Sequence, residues 1–218
     1  MLSLALRRQN DEAVKILCLG AHCDDIEIGC GGTILKLLEQ YKRATVYWVV
    51  FSSDEQRAEE ARESAAMFLK QAESKSIVIK KFTTSFFPYV GMDIKVDFER
   101  LKQDFSPDVV FTHYRNDLHQ DHRVISELTW NSFRDHLVLE YEIPKYDGDL
   151  GSPNSFVHLD QSTARKKVNL IMENFRSQRD KQWFDEETFL AILRLRGVES
   201  NSPGKYAEGF YCRKVVLS

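Results

Sequence analysis

The sequence contains no run of about eighteen apolar residues, so a membrane-spanning helix is not expected. Cysteine is scarce: four in 218 residues, with no CxxC pair and no zinc-finger spacing. That excludes a disulfide framework and points to reduced thiols in a reducing compartment. There is no Pro/Gly-rich linker, low-complexity tract or internal repeat, so nothing divides the chain. Neither sign of charge dominates: 30 Lys plus Arg face 33 Asp plus Glu, a net charge of -3. The basic footprint of a nucleic-acid or anionic-membrane binder is missing. Residues 1–12 are too short and too quickly charged for a signal-peptide core, and a cytoplasmic protein is the default expectation. Hydrophobic residues at 43% and charged residues at 29% exclude disorder as the main state and suit one domain over residues 1–218.

Strand-like and helix-like segments alternate. Residues 14–19, 45–51, 76–82, 108–112 and 137–143 read as buried strands, with a short strand at 156–159 and a last one at 210–217. Helical stripes fall at 33–41, from about 55 (with Ser52 and Ser53 as caps) to 69, and at 93–105, 122–133, 163–175 and 186–196. The pattern predicts a single-domain α/β protein: a Rossmann-like, doubly wound, mostly parallel sheet in three αβα layers. In such a sheet the ligand sits at the carboxyl ends of the strands, at the topological switch point. With order 3-2-1-4-5, the loops to inspect follow the first and fourth strands.

Those two loops hold four of the six histidines: His22, then His113, His119 and His122. Two imidazoles and a carboxylate on a divalent ion, with one position open to water, is a catalytic arrangement. His22 and Asp25 lie three residues apart, so one turn can aim both at a point, and His122 can supply the third ligand. Asp24 is then a spare carboxylate suited to deprotonate water. His119 and Asp121 remain as an imidazole and an orienting group. Asp117 reads equally as a second-layer partner or a loop cap, and His113 as structural or pocket-lining. The Gly29, Gly31, Gly32 cluster lacks the GxGxxG form and is better explained by close packing at a helix start.

The segment AHCDDIEIGCGGT resembles the AHPDD signature of the LmbE/PIG-L family of zinc-dependent sugar N-deacetylases, and DLHQDH resembles that family's D-x-H-x-D-H motif. RAEEARESAAMFL and YAEGF are similar to its helix and C-terminal patterns. The resemblance implies zinc on His22, Asp25 and His122, with Asp24 as general base. It also implies that His119 stabilises the oxyanion, held protonated by its pairing with Asp121. Arg57 and Glu208 match substrate-contacting positions. Cys23 and Gln120 stand where the family has proline. Neither is a ligand position, but Cys23 brings a thiol near the ion. Iron(II) suits the same ligand set. The expected partner is a small N-acetylated sugar or sugar conjugate, of the N-acetylglucosamine type. A homo-oligomer is compatible with the sequence, and no nucleic acid is expected. Two rival readings stand beside this one. A dinuclear metallo-β-lactamase-like hydrolase would need an αββα fold and further ligands downstream. A non-catalytic Rossmann-like sugar- or nucleotide-binding module would leave the metal constellation without purpose.

Overall fold

The computed structural model describes residues 13–216. The expectation about a leader at residues 1–12 lies outside the described residues. Seven strands form one sheet in the order β3-β2-β1-β4-β5-β7-β6. These are β1 (Val14–Gly20), β2 (Ala44–Ser52), β3 (Ser74–Phe82), β4 (Val109–His113), β5 (Leu137–Tyr141), β6 (Ser155–Leu159) and β7 (Tyr206–Cys212). The first five are parallel to one another, and β7 runs antiparallel between β5 and β6. The helices are α1 (Asp25–Gln40), α2 (Glu55–Phe68), α3 (Gly91–Asp104), α4 (Gln120–Ser132), α5 (Gln161–Asn174) and α6 (Glu186–Glu199).

Strand periodicity splits the core into two layers. Ile16 and Cys18 of β1 join Val46, Trp48, Leu35, Ala61, Val168 and Phe189 on one face. Leu17 and Leu19 join Val49, Phe51, Ile94, Phe98 and Ile125 on the other. This is the three-layer αβα arrangement, in one sheet, and it excludes the αββα alternative. Among the described residues, no helix is long and apolar enough to cross a membrane.

Three boundaries differ from the sequence reading. Helix α1 starts at Asp25, eight residues before the apolar stripe. Three glycines argue against helix by propensity, but each meets a bulky neighbour. A Cβ on Gly29 would lie 2.1 Å from the Tyr141 ring, on Gly31 2.6 Å from Phe68, and on Gly32 2.6 Å from Leu159. Close packing is therefore what the cluster serves. The α2 cap is Asp54, whose carboxylate accepts from Arg57 N at 2.8 Å, and neither serine caps the helix. Ser52 ends β2 and its hydroxyl donates to Ala21 O. The last strand is β7, starting four residues earlier than expected, because Tyr206 pairs with Leu159 and Phe210 with Ser155. The expected end of that strand, Leu217, lies outside the described residues.

Candidate metal centre

Strand β1 has β2 on one side and β4 on the other, so the chain reverses its winding between β1 and β4. The loops leaving their carboxyl ends meet there. After Gly20 the chain turns through His22 and Cys23 and enters α1 at Asp25, with Asp24 as its N-cap residue. After His113 a loop runs to His119, the N-cap of α4, whose first turn carries Asp121 and His122. The structure thus brings residues about a hundred positions apart into contact.

Nδ1 of His22 lies 3.1 Å from Nε2 of His122 and 3.4 Å from Oδ2 of Asp25. Nε2 of His122 lies 3.5 Å from Oδ1 of Asp25. All three side chains are buried. A tetrahedral ion about 2.0–2.2 Å from each donor sets donors about 3.3–3.6 Å apart; this trio, with Asp25 presenting Oδ2 to His22 and Oδ1 to His122, is close to that spacing and suits a small divalent ion. Two overlapping groups share His122: His22, His119 and His122 in one, Asp25, His113 and His122 in the other.

Each imidazole of the trio has its second nitrogen fixed by a carboxylate, the arrangement that sets tautomer and ring direction at metal sites. His122 Nδ1 bonds Asp117 Oδ2 at 2.9 Å, and His22 Nε2 bonds Asp121 Oδ2 at 3.1 Å. Asp117 is both the orienting partner and the loop cap. Its Oδ1 accepts from His119 N at 2.8 Å, and its Oδ2 also takes Lys145 Nζ at 3.0 Å. His113, which the sequence left open, is fully buried. Its Nε2 lies 3.1 Å from Asp25 Oδ2, and its ring stacks 3.9 Å from that of His122.

The electrostatics follow from this packing. Burial pushes the Asp25 carboxyl up, but the imidazoles of His122, His113 and His22 outweigh it and hold it well below the usual range. Burial pulls His122 down, and Asp25 with Asp117 more than offsets that, carrying it up to about 9. His113 is pushed down to about 4 by burial and by His122, and stays neutral.

The structure gives several of the expected site residues other partners. Asp121 does not orient His119 with its carboxylate. Oδ2 holds His22 and accepts from Ser85 N at 2.6 Å, and Oδ1 accepts from Phe87 N at 3.2 Å. Only the Asp121 backbone N–H reaches His119, donating to its Nδ1 at 3.2 Å. His119 is accordingly not held cationic. Burial and the neighbouring His122 and His22 lower its pKa, and Asp121 does not offset them. Glu208 is not at a pocket rim. It is 2% exposed, accepts from Gly32 N and Thr33 N at 2.8 and 2.6 Å, and pairs with Lys167 at 2.6 Å. Arg57 is turned onto Asp24, with Nη2 2.9 Å from Oδ1. Cys23 turns toward the end of β2, where its thiol donates to Ser52 O at 3.3 Å. Burial pushes that thiol up to about 12, so it is no thiolate ligand.

The profile of the PIG-L family, described as GlcNAc-PI de-N-acetylase, matches residues 17–133, more than half of the chain. The chain belongs to the PIG-L family. Solved structures place its fold beside several enzymes. The N,N'-diacetylchitobiose deacetylase of Pyrococcus horikoshii is 24% identical, with a TM-score of 0.68 over 92% of this PIG-L chain and 84% of that one. The 4-carboxy-2-hydroxymuconate hydratase of Pseudomonas putida is 18% identical, TM-score 0.70, over 94% and 98%. A teicoplanin deacetylase is 13% identical, TM-score 0.66, over 91% and 97%. At such identities the likeness shows the fold, and the fold alone carries both deacetylases and a hydratase. The choice for this PIG-L protein rests on its family and on the chemistry of its site.

Proposed function

We propose that this PIG-L chain is a metal-dependent N-deacetylase of an N-acetylated amino sugar, with a zinc ion held by His22, Asp25 and His122. The spacing of those three donors, 3.1–3.5 Å, is the observation that carries the reading. When bound, the ion supplies a Lewis acid for the amide carbonyl and brings the pKa of a ligated water toward about 7. Asp24 stands one residue from the ligand carboxylate at the start of α1, and Arg57 fixes it. It accepts the proton of the attacking water as the water oxygen bonds to the acetyl carbon. His119 faces the charge that develops on the former carbonyl oxygen. Its Nδ1 is occupied as an acceptor by Asp121 N–H, so a neutral ring carries its proton on Nε2. A neutral His119 is therefore already the hydrogen-bond donor the oxyanion needs. The C–N bond then breaks. The amine takes the proton Asp24 gained, leaving acetate and an amino sugar.

We take residues 1–218 as one catalytic domain, a reading supported by the single sheet that collects both site loops. The four unpaired cysteines support a reducing, cytoplasmic setting. The deciding experiment measures acetate release from a panel of N-acetyl sugars by zinc- and iron(II)-loaded protein, beside hydration of an unsaturated carboxylic acid. Acetate release with about one ion per chain is expected. Hydration without acetate release would replace this reading with the hydratase chemistry found on the same fold.

A further inference from the structure

Three loops surround the centre, and hydrogen bonds tie them together. The β3–α3 loop is held by Asp121, through Ser85 N and Phe87 N. It is also held by Gln120, which donates to Ser85 O. Asp149 of the loop after β5 accepts from Leu118 N at 2.7 Å, on the loop before α4. The backbone of the β3–α3 loop is fixed at two points. Ser85 takes a left-handed backbone with φ of 70°, and the Phe87 ring is buried 6.3 Å from that of His22.

Beside polar residues such as Thr84, Arg115 and Asp147, these loops expose large apolar side chains. Of twelve large apolar side chains exposed among the described residues, six sit on these loops or in the helical turn that follows the first. Phe86, Tyr89 and Met92 are 53%, 79% and 82% exposed, with Leu118, Tyr146 and Leu150 on the other two loops. Phe86 and Tyr89 form a pair, ring centroids 6.1 Å apart and inclined at 53°. Scattered exposed apolar residues are ordinary, but a concentration around a catalytic opening marks a binding surface. The cations bonded into this site are committed. Lys145 holds Asp117 and Asp149, Arg57 holds Asp24, and Arg123 donates to Asp117 O and Leu118 O.

We infer that Phe86 and Tyr89 are specificity-determining residues that receive an apolar aglycone, so the substrate is an N-acetylated amino sugar glycosidically joined to an aryl or alkyl group. The inference rests on the deacetylase reading and adds the chemistry of the group next to the sugar. Phe86 stands between the two residues whose N–H groups grip Asp121, which fixes the aromatic pair relative to His22.

The test compares metal-loaded protein acting on free N-acetylglucosamine and on its hexyl and phenyl glycosides, with binding of each read separately by calorimetry. Wild type is expected to favour the glycosides by roughly tenfold or more, in kcat/KM and in affinity. In Phe86→Ser/Tyr89→Ser the ratio falls to about one. In Phe86→Leu/Tyr89→Leu the hexyl preference survives. A folding defect lowers all three substrates together and leaves the ratio alone. A wild-type ratio near one, or an unchanged ratio in the serine variant, overturns the inference while leaving N-deacetylation standing. Hydrolysis of none of the three counts against the deacetylase reading, and the calorimetric ratio still decides the aglycone. Co-sedimentation with phosphatidylcholine vesicles, abolished in the serine variant and without preference among the glycosides, would reassign the rim to a membrane surface.

Discussion

Asp24 and Asp25 are neighbours in the chain with different surroundings. Asp25 is enclosed by three imidazoles, whereas Asp24 meets the guanidinium of Arg57. Replacing Asp24, the proposed base, should therefore separate chemistry from metal binding. Asp24→Asn is expected to lower kcat about 10²–10⁴-fold with metal content unchanged, read by acetate release and metal analysis on one sample. Asp117 predicts the reverse signature. Its carboxylate turns His122, so Asp117→Asn should weaken metal affinity by about 10–100-fold. Activity should return in excess metal, which a competitive chelator titration will show. In the proposed mechanism His119→Ala removes a donor to the transition state and should cost roughly 10²–10³ in kcat with a smaller change in KM.

Helix α1 joins the site to the core. Its first turn carries Asp25, its second rests on Tyr141, Phe68 and Leu159, and Glu208 with Lys167 reaches its backbone. Gly29→Ala puts a methyl into the Tyr141 ring and should destabilise the fold by about 1–3 kcal/mol, seen as a lower Tm. The alternation of buried strands and amphipathic helices was legible in the sequence, and so were the two site loops, because strand-end placement and a dense His/Asp spacing can be seen locally. The start of α1 was not. Three glycines conceal a helix whose stability comes from neighbours far along the chain. The roles of Glu208, Arg57 and Asp121 were hidden for the same reason. A motif gives the residue type, and only the fold decides whether a carboxylate meets a backbone, a guanidinium or an imidazole. Asp117 could have been favoured from the sequence, since it stands five residues before a predicted ligand histidine in the same loop.

The molecule as a whole competes with protons for its metal. Without an ion, His122 has a pKa of about 9, against about 6.5 in an unfolded chain. That raised pKa contributes stability that is fully present below about 6.5 and is lost as pH rises through about 9. A metal needs the neutral imidazole, so the proton must leave. Metal affinity is expected to tighten with rising pH, by up to about tenfold per unit from this group, and to level off above about 9. Calorimetry in buffers of different ionisation enthalpy will count the proton released at pH 7. A count of zero would remove His122 from the ligand set.

Asp121 makes the selectivity of the opening and the grip on the ion inseparable. One carboxylate faces His22 on one side and the backbone of Ser85 and Phe87 on the other. Drift toward new substrates by rebuilding the β3–α3 loop must keep those two amides where they are, or the ligand histidine loses its brace. The backbone there must stay in place while the exposed side chains can change, so a library that randomises Phe86 and Tyr89 while holding loop length should give active variants far more often than one that inserts or deletes a residue.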